Sequence, residues 1–306
     1  VIEALSLTKR HGSRLAVDDL TFTVPDGTAT GLLGAAGAGK STVLRLAAGL
    51  DRGEGEVLFD GAPLARCARP AAAVGLALDA GAMHPGRTAR GHLRVLAAGA
   101  GVPRRRVDEV LEQTGLTGVE HRRPGVFWRG AAARLAVAGA LLGRPRALLL
   151  DDPLPALDPD GRTWLASLVR EHADGGGSVL LTGSRAADLA PLVDALVVLR
   201  RGRLAAQGPA GELVAGAAAS VLVRSSDAGL LTAAVLRWGG GVEPLPDGGL
   251  VVTGLDIAAV GEVARAEGVA VHELTRREAD LDAALAAPAE VELPATDLLG
   301  SPAVSA

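Results

Sequence analysis

Eight consecutive residues, Gly34-Ala35-Ala36-Gly37-Ala38-Gly39-Lys40-Ser41, form a complete G-x-x-x-x-G-K-S/T loop, and the chemistry that suits it is the holding of phosphate. Glycines let a backbone wrap tightly enough to turn its N–H groups onto phosphate oxygens, and a helix starting at the loop's end adds the partial positive charge of its N-terminus. Lys40 is placed to reach the β- and γ-phosphates of a nucleotide, with Thr42 beside the same phosphates, and the Ser41 hydroxyl to ligate Mg²⁺. The whole chain has only two lysines, Lys9 and Lys40, and one of them stands where the loop requires it. A second set lies far downstream, where the apolar run 147–150 ends in Asp151-Asp152-Pro153. Asp151 would hold Mg²⁺, directly or through water, and Asp152 would polarise an attacking water. Taken alone, acids at a strand end read as solvated turn residues; paired with the loop they read as the metal half of a nucleotide site.

The elements that must position these groups are those of an α/β core. Apolar strands are expected at 15–24, 30–33 and 57–60, with a helix over 42–48 after the loop. A basic, helix-patterned stretch covers 91–115, and an alanine- and leucine-rich helix covers 131–142 with Arg134 as its only charge. The wholly apolar runs 147–150 and 178–182, and a weaker one at 194–199, have the character of strands buried on both faces of a parallel sheet. Strands interleaved with helices give an α/β class. Past a Gly/Ala-rich stretch at 208–219, the order strand 221–224, helix 227–238, strands 242–245 and 250–253, helix 256–267, strand 269–274 spells βαββαβ, a small ferredoxin-like α+β sandwich. Residues 288–306 lack a sustained period and are expected to be a loose tail. The expected partition is 1–215, 220–286 and 287–306.

Composition excludes several classes. At 48% hydrophobic and 22% charged over 306 residues, a folded protein is expected. The single Cys67 leaves no disulfide framework or cysteine-cluster metal site. A net charge of −4 gives no electrostatic case for nucleic acid. No run of 18 uncharged apolar residues exists, so no bilayer span is expected, and the opening VIEALSLTKR has no basic-then-apolar signal segment, so a cytoplasmic location is expected. Guanine-nucleotide switches read their base with an asparagine in N-K-x-D, and this chain contains no asparagine. Small kinases usually lack so long an insertion between the two phosphate motifs.

The flanking residues resemble the ATP-binding subunits of ABC transporters, in particular the actinobacterial drug- and antibiotic-export type. Leu7-Thr8-Lys9-Arg10-His11-Gly12 with Ala16-Val17-Asp18-Asp19-Leu20-Thr21-Phe22 is similar to that family's adenine-stacking segment. Gly53-Glu54-Gly55-Glu56-Val57-Leu58-Phe59-Asp60-Gly61 resembles the turn and strand after its loop helix, Leu157-Asp158-Pro159 its D-loop, and 197–208 its closing strand pair with Gly202 at the turn. The resemblance is close over 1–215, and the segments 84–90 and 221 onward are similar to the exporter subgroup. It implies a P-loop (RecA-like) core with an N-terminal antiparallel β subdomain and an inserted helical arm at about 85–140. It further implies ATP and Mg²⁺ as ligands, two subunits closing head to tail as a homodimer or heterodimer, and a separate membrane permease whose inner face the subunit would line. Substrate choice would rest with that permease.

Against the family pattern, the residues that bind depart less than those that catalyse. His11 replaces the adenine-stacking tyrosine; its ring can stack, or it is a surface-loop histidine. Asp79 stands where a glutamine senses metal and γ-phosphate, and could itself ligate Mg²⁺. The phosphate-binding signature of the partner-facing surface falls on Phe127-Trp128-Arg129-Gly130-Ala131; Trp128 has no hydroxyl, Arg129 offers a replacement cation, and a Trp128 packed into the arm leaves a surface that binds phosphate poorly. Asp152 is one methylene shorter than the catalytic glutamate, and a misplacement of about 1 Å can cost on the order of a hundredfold. Ser184 replaces the switch histidine and cannot carry an imidazolium's charge. The two readings that follow are a slow ATP-hydrolysing transport motor and a nucleotide-binding module that pairs with a competent subunit.

Overall fold

The computed structural model describes residues 1–78, 84, 86–123, 129–216 and 220–277, which fall into two compact units, Val1–Ala210 and a second beginning at Gly211. The first opens with β1 (Ile2–His11), β2 (Arg14–Val24), β3 (Ala29–Leu33), α1 (Lys40–Ala47), β4 (Glu54–Phe59) and β5 (Ala62–Pro63). It continues through α2 (Pro70–Ala73), β6 (Val74–Ala77), α3 (Ala89–Gly99), α4 (Arg105–Gln113) and α5 (Arg129–Leu141). It closes with β7 (Ala147–Leu150), α6 (Pro159–Asp174), β8 (Ser178–Gly183), α7 (Ala186–Leu189), β9 (Ala195–Arg200) and β10 (Arg203–Pro209).

Two sheets result. One is antiparallel, in the order β2-β1-β4-β5; the other has six strands in the order β10-β9-β3-β8-β7-β6. In the larger sheet β9, β3, β8, β7 and β6 run parallel and β10 closes one edge antiparallel to β9. A parallel sheet needs both faces covered, and every residue of β3, β7 and β8 is buried. One continuous core joins the two sheets: Ile2, Leu20 and Phe22 of the antiparallel sheet pack with Leu32, Leu149 and Leu180 of the parallel one and with Leu44 of α1. Each such side chain contributes about 1.5–3 kcal/mol on burial. Arg134, the lone charge expected inside α5, is accommodated without a carboxylate: its guanidinium lies 4.3 Å from the centroid of the Trp164 ring and donates to Thr114 O at 3.1 Å.

Among the differences from the sequence expectation, three bear on the scaffold. The strand β1 was not expected, because its pairing with β2 is interrupted by register shifts and Ser6 has a φ of 47°, which destroys the two-residue alternation. The basic stretch 91–115 is two helices; Gly101 (φ 65°) and Pro103 separate α3 from α4. The helix α6 was also unforeseen, although Pro159 at its first turn and the Asp158 side chain, accepting from Gly161 N at 2.8 Å, mark its start.

The second unit opens with α8 (Ala210–Gly216), all but its first residue, and goes on through β11 (Ser220–Ser225), α9 (Ala228–Arg237), β12 (Gly241–Pro244), β13 (Leu250–Thr253), α10 (Ile257–Ala266) and β14 (Val271–Arg277). Its sheet runs β12-β13-β11-β14, antiparallel throughout. Val221, Val223 and Val252 of the sheet pack against Leu231 and Val235 of α9 and Val260 and Val263 of α10, which is the ferredoxin-like arrangement of a βαββαβ chain.

Candidate functional site

The glycine-rich loop joins the C-terminal end of β3 to the first residue of α1. Two of its glycines are required by space. Gly39 has a φ of 108°, and a Cβ there would meet Ala16 O at 2.3 Å; a Cβ on Gly34 would meet Leu199 O at 2.7 Å. The loop is therefore a cradle of backbone, with Ala35, Ala36 and Gly37 facing solvent and Ala38, Gly39 and Lys40 buried. The N-terminus of α1 has no side-chain cap and no acid in its first turn, so its positive end is left for an external anion. Lys40, 9% exposed, bends over the loop and donates to Gly34 O at 2.6 Å and Ala35 O at 3.1 Å. Burial lowers its pKa, and the charges of Asp152 and Asp151 oppose that shift.

Those carboxylates arrive from the neighbouring strands. Because β3, β8 and β7 lie side by side and parallel, their C-terminal ends open at one edge, where α/β sheets bind ligands. The Ser41 hydroxyl donates to Asp151 Oδ1 at 3.1 Å, and Asp151 N–H is fixed by Ala77 O at 2.8 Å. The Thr182 hydroxyl, fully buried at the end of β8, donates to the same Asp151 oxygen at 2.7 Å and accepts from Asp152 N–H at 2.9 Å. Asp152 adopts a left-handed φ of 42°, which aspartate tolerates at a cost of roughly 1–2 kcal/mol. Its carboxyl is open to solvent on one side; packing on the other raises its pKa, Lys40 opposes the rise, and Asp151 and Asp188 add to it.

The structure thus brings together Lys40, Ser41, Asp151 and Asp152, with Thr42 half-buried in the first turn of α1. Ser184 lies exposed just beyond β8, and His11 lies exposed at the end of β1. Gly130 is buried in α5, which Arg129 begins. Asp79 and Trp128 lie outside the described residues. Thr182 was missed by sequence reasoning; its signal was a lone hydroxyl at the end of an apolar run. Among the described residues no group of three His, Cys, Asp or Glu could hold a metal ion. One carboxylate and one hydroxyl beside a phosphate cradle are instead the protein share of a Mg²⁺ site completed by nucleotide phosphates, so Ser41 and Asp151 fit Mg²⁺ bound with a nucleotide.

The model of the family "ABC transporter" matches residues 17–155, which include the loop and both acids. The energy-coupling factor transporter ATP-binding protein EcfA2 of Symbiobacterium thermophilum is 34% identical over 70% of this chain and 80% of its own length. The chain belongs to the ABC transporter ATP-binding proteins. The sulfate/thiosulfate import ATP-binding protein CysA of Nocardia farcinica is 35% identical over 67% of this ABC chain and 63% of its own length, so the chain spans under two thirds of that relative. A solved structure described as the dimeric, post-hydrolysis state of the ATP-binding cassette MJ0796 bound to ADP and Pi superposes with a TM-score of 0.62 at 21% identity, covering 69% of this chain and 99% of that one. It shares the ABC cassette fold. A domain of unknown function matches residues 219–282 of the ABC chain, over the second unit. Among the described residues, no helix is long and apolar enough to cross a membrane.

Proposed function

We propose that the chain is the ATP-binding subunit of an ABC transporter, using Mg·ATP at the 34–41 loop to drive a separate membrane permease. The observation that supports it most is the convergence of Lys40, Ser41 and Asp151 from opposite ends of the family's match onto one backbone cradle. Bound Mg²⁺ would supply positive charge to the phosphate oxygens. Lys40 binds the phosphate tail, Ser41 and Asp151 hold the metal, and Thr182 fixes the direction of the Asp151 carboxylate. Asp152 orients the attacking water and holds its proton, with Ser184 as the nearest substitute for a switch histidine. In the same proposal His11 faces the base, Asp79 adds to the metal site, and Trp128, Arg129 and Gly130 form the surface that meets the partner's ATP.

The working form is a head-to-tail dimer, homomeric or heteromeric, peripheral to the inner face of the membrane at its permease. The solved cassette MJ0796 is described as dimeric. Export is proposed on the resemblance of segments 84–90 and 221 onward to exporter subunits; the Nocardia relative is named for import of sulfate or thiosulfate. Uptake or release of cargo by vesicles carrying the reconstituted transporter decides direction.

Two features favour a second reading, a nucleotide-binding module with little hydrolysis of its own. Ser184 cannot carry charge to the leaving phosphate, and the Asp152 carboxyl is one methylene short of the family's glutamate. Phosphate release from purified protein with Mg·ATP separates the two, with Lys40→Ala as control. Turnover above about 0.1 per second, lost in the control, establishes the motor. ATP binding without turnover establishes the module, and absence of ATP binding overturns both.

A further inference from the structure

The hairpin joining β1 to β2 carries a cation onto the phosphate loop. Its closing residues, His11 and Arg14, are direct register partners across a two-residue turn in which Gly12 has a φ of 60°. The Arg14 guanidinium reaches away from its own sheet and donates from Nη2 to Gly37 O at 2.9 Å. Of the other exposed arginines in this region, Arg203 ends on Asp18 and Arg45 on Asp51, while Arg10 of the same hairpin donates within its own turn, to Ser13 O at 3.4 Å. Arg14 ends on a loop carbonyl instead, and a guanidinium has five N–H donors in a rigid fork.

Two cations therefore bracket the solvent-facing stretch 35–37. Lys40 is anchored at the carbonyls of Gly34 and Ala35, and Arg14 at that of Gly37. An anion lying on the N–H groups of this stretch is within reach of both.

We infer that Arg14 is a second phosphate-binding cation of the nucleotide site, contacting the phosphate chain from the hairpin side while Lys40 contacts it from the helix side. This inference rests on the ATP reading above. Arginine suits the role because its fork can keep the Gly37 carbonyl and offer parallel donors to a phosphate, which a lysine's point charge does not reproduce. The alternative is that Arg14 only pins the loop through Gly37, and the two roles differ in their response to salt.

The test is calorimetric titration of the full chain with Mg·ATP at about 50 mM and about 500 mM salt, since an exposed charge contact is screened over that range. The proteins are the parent, Arg14→Gln, Arg14→Lys and Lys40→Ala. Arg14→Gln is expected to raise Kd about tenfold at low salt and to flatten the salt dependence, with Arg14→Lys falling between it and the parent. Arg14→Gln binding within about twofold of the parent at both salts, while Lys40→Ala loses binding, overturns the inference and leaves the ATP site standing. Weaker binding with an unchanged salt dependence also overturns it, because that is the result of a pin alone. A parent protein that does not bind Mg·ATP removes the ATP reading itself.

Discussion

Replacing Thr182 by valine removes one buried hydroxyl and changes little else in shape, so it isolates the tie between the two acids. The hydroxyl makes two bonds, donating to the Asp151 carboxylate at 2.7 Å and accepting from Asp152 N–H at 2.9 Å. A bond to a charged group is worth about 1.5–3 kcal/mol, and a buried donor left without a partner costs about 1–3 kcal/mol. These do not simply add. Asp151 keeps its bond from Ser41, and the Asp152 side of the cluster is only part-buried, so water can reach the freed N–H. The expected loss is about 2 kcal/mol, a sizeable share of the 5–15 kcal/mol typical of a folded protein. A loosened carboxylate should also weaken metal binding, and loss of an outer-shell partner typically costs about 10–100-fold. The assays are urea unfolding of the unliganded protein and Mg²⁺ titration of ATP binding. Thr182→Ser keeps both bonds and should track the parent in each. A valine variant that unfolds within about 0.5 kcal/mol of the parent with the same Mg²⁺ requirement would falsify the reasoning.

The remaining predictions concern charge, space and capping. Asp152 has a pKa raised above 3.8 in the fold, so between 3.8 and the raised value the folded state holds a proton that the unfolded chain has released. Stability therefore falls as pH climbs through that window, and the full cost is present above it. Asp152→Asn cannot ionise and should be more stable than the parent near neutral pH, an advantage that disappears below pH 3.8; equal stability of the two at neutral pH would contradict the shift. Gly39→Ala places a Cβ at 2.3 Å from Ala16 O at a φ of 108°, so a loss of about 2 kcal/mol or more and of ATP binding is expected in the same titrations. Asp158→Ala removes the cap of α6 and should cost about 1 kcal/mol by urea unfolding; no change would show that Gly161 N–H is satisfied by water.

The chemistry was more legible than the scaffold, for physical reasons. The loop can be read because its tight wrap against the backbone of Leu199 and Ala16 leaves no choice but glycine at Gly34 and Gly39, and the metal acid because a carboxylate at the end of a fully apolar strand such as β7 is conspicuous. Thr182 was hidden because a threonine closing an apolar run is ordinary strand material; only its position beside β7 gives the hydroxyl two partners. Arg14 was hidden likewise, since its target Gly37 is distant in sequence and near only after the hairpin folds over the loop. The strand β1 was lost to its bulges, and the break between α3 and α4 needed Gly101 and Pro103 to be weighed above the surrounding helical period. In the second unit, the alternation of short apolar runs with helical ones was enough to place all six elements, whose apolar side chains meet in one small core.

The position of β8 in the larger sheet sets a schedule for synthesis. A ribosome delivers β3, β6 and β7 before β8, yet β8 is the strand that lies between β3 and β7. At about 5–20 residues per second, the stretch from the end of β7 to the end of β8 takes roughly 2–7 s to emerge. Throughout that interval the cradle strand and the acid-bearing strand each have a raw parallel edge with its intended neighbour still untranslated, and exposed edges of that kind recruit strands from other chains.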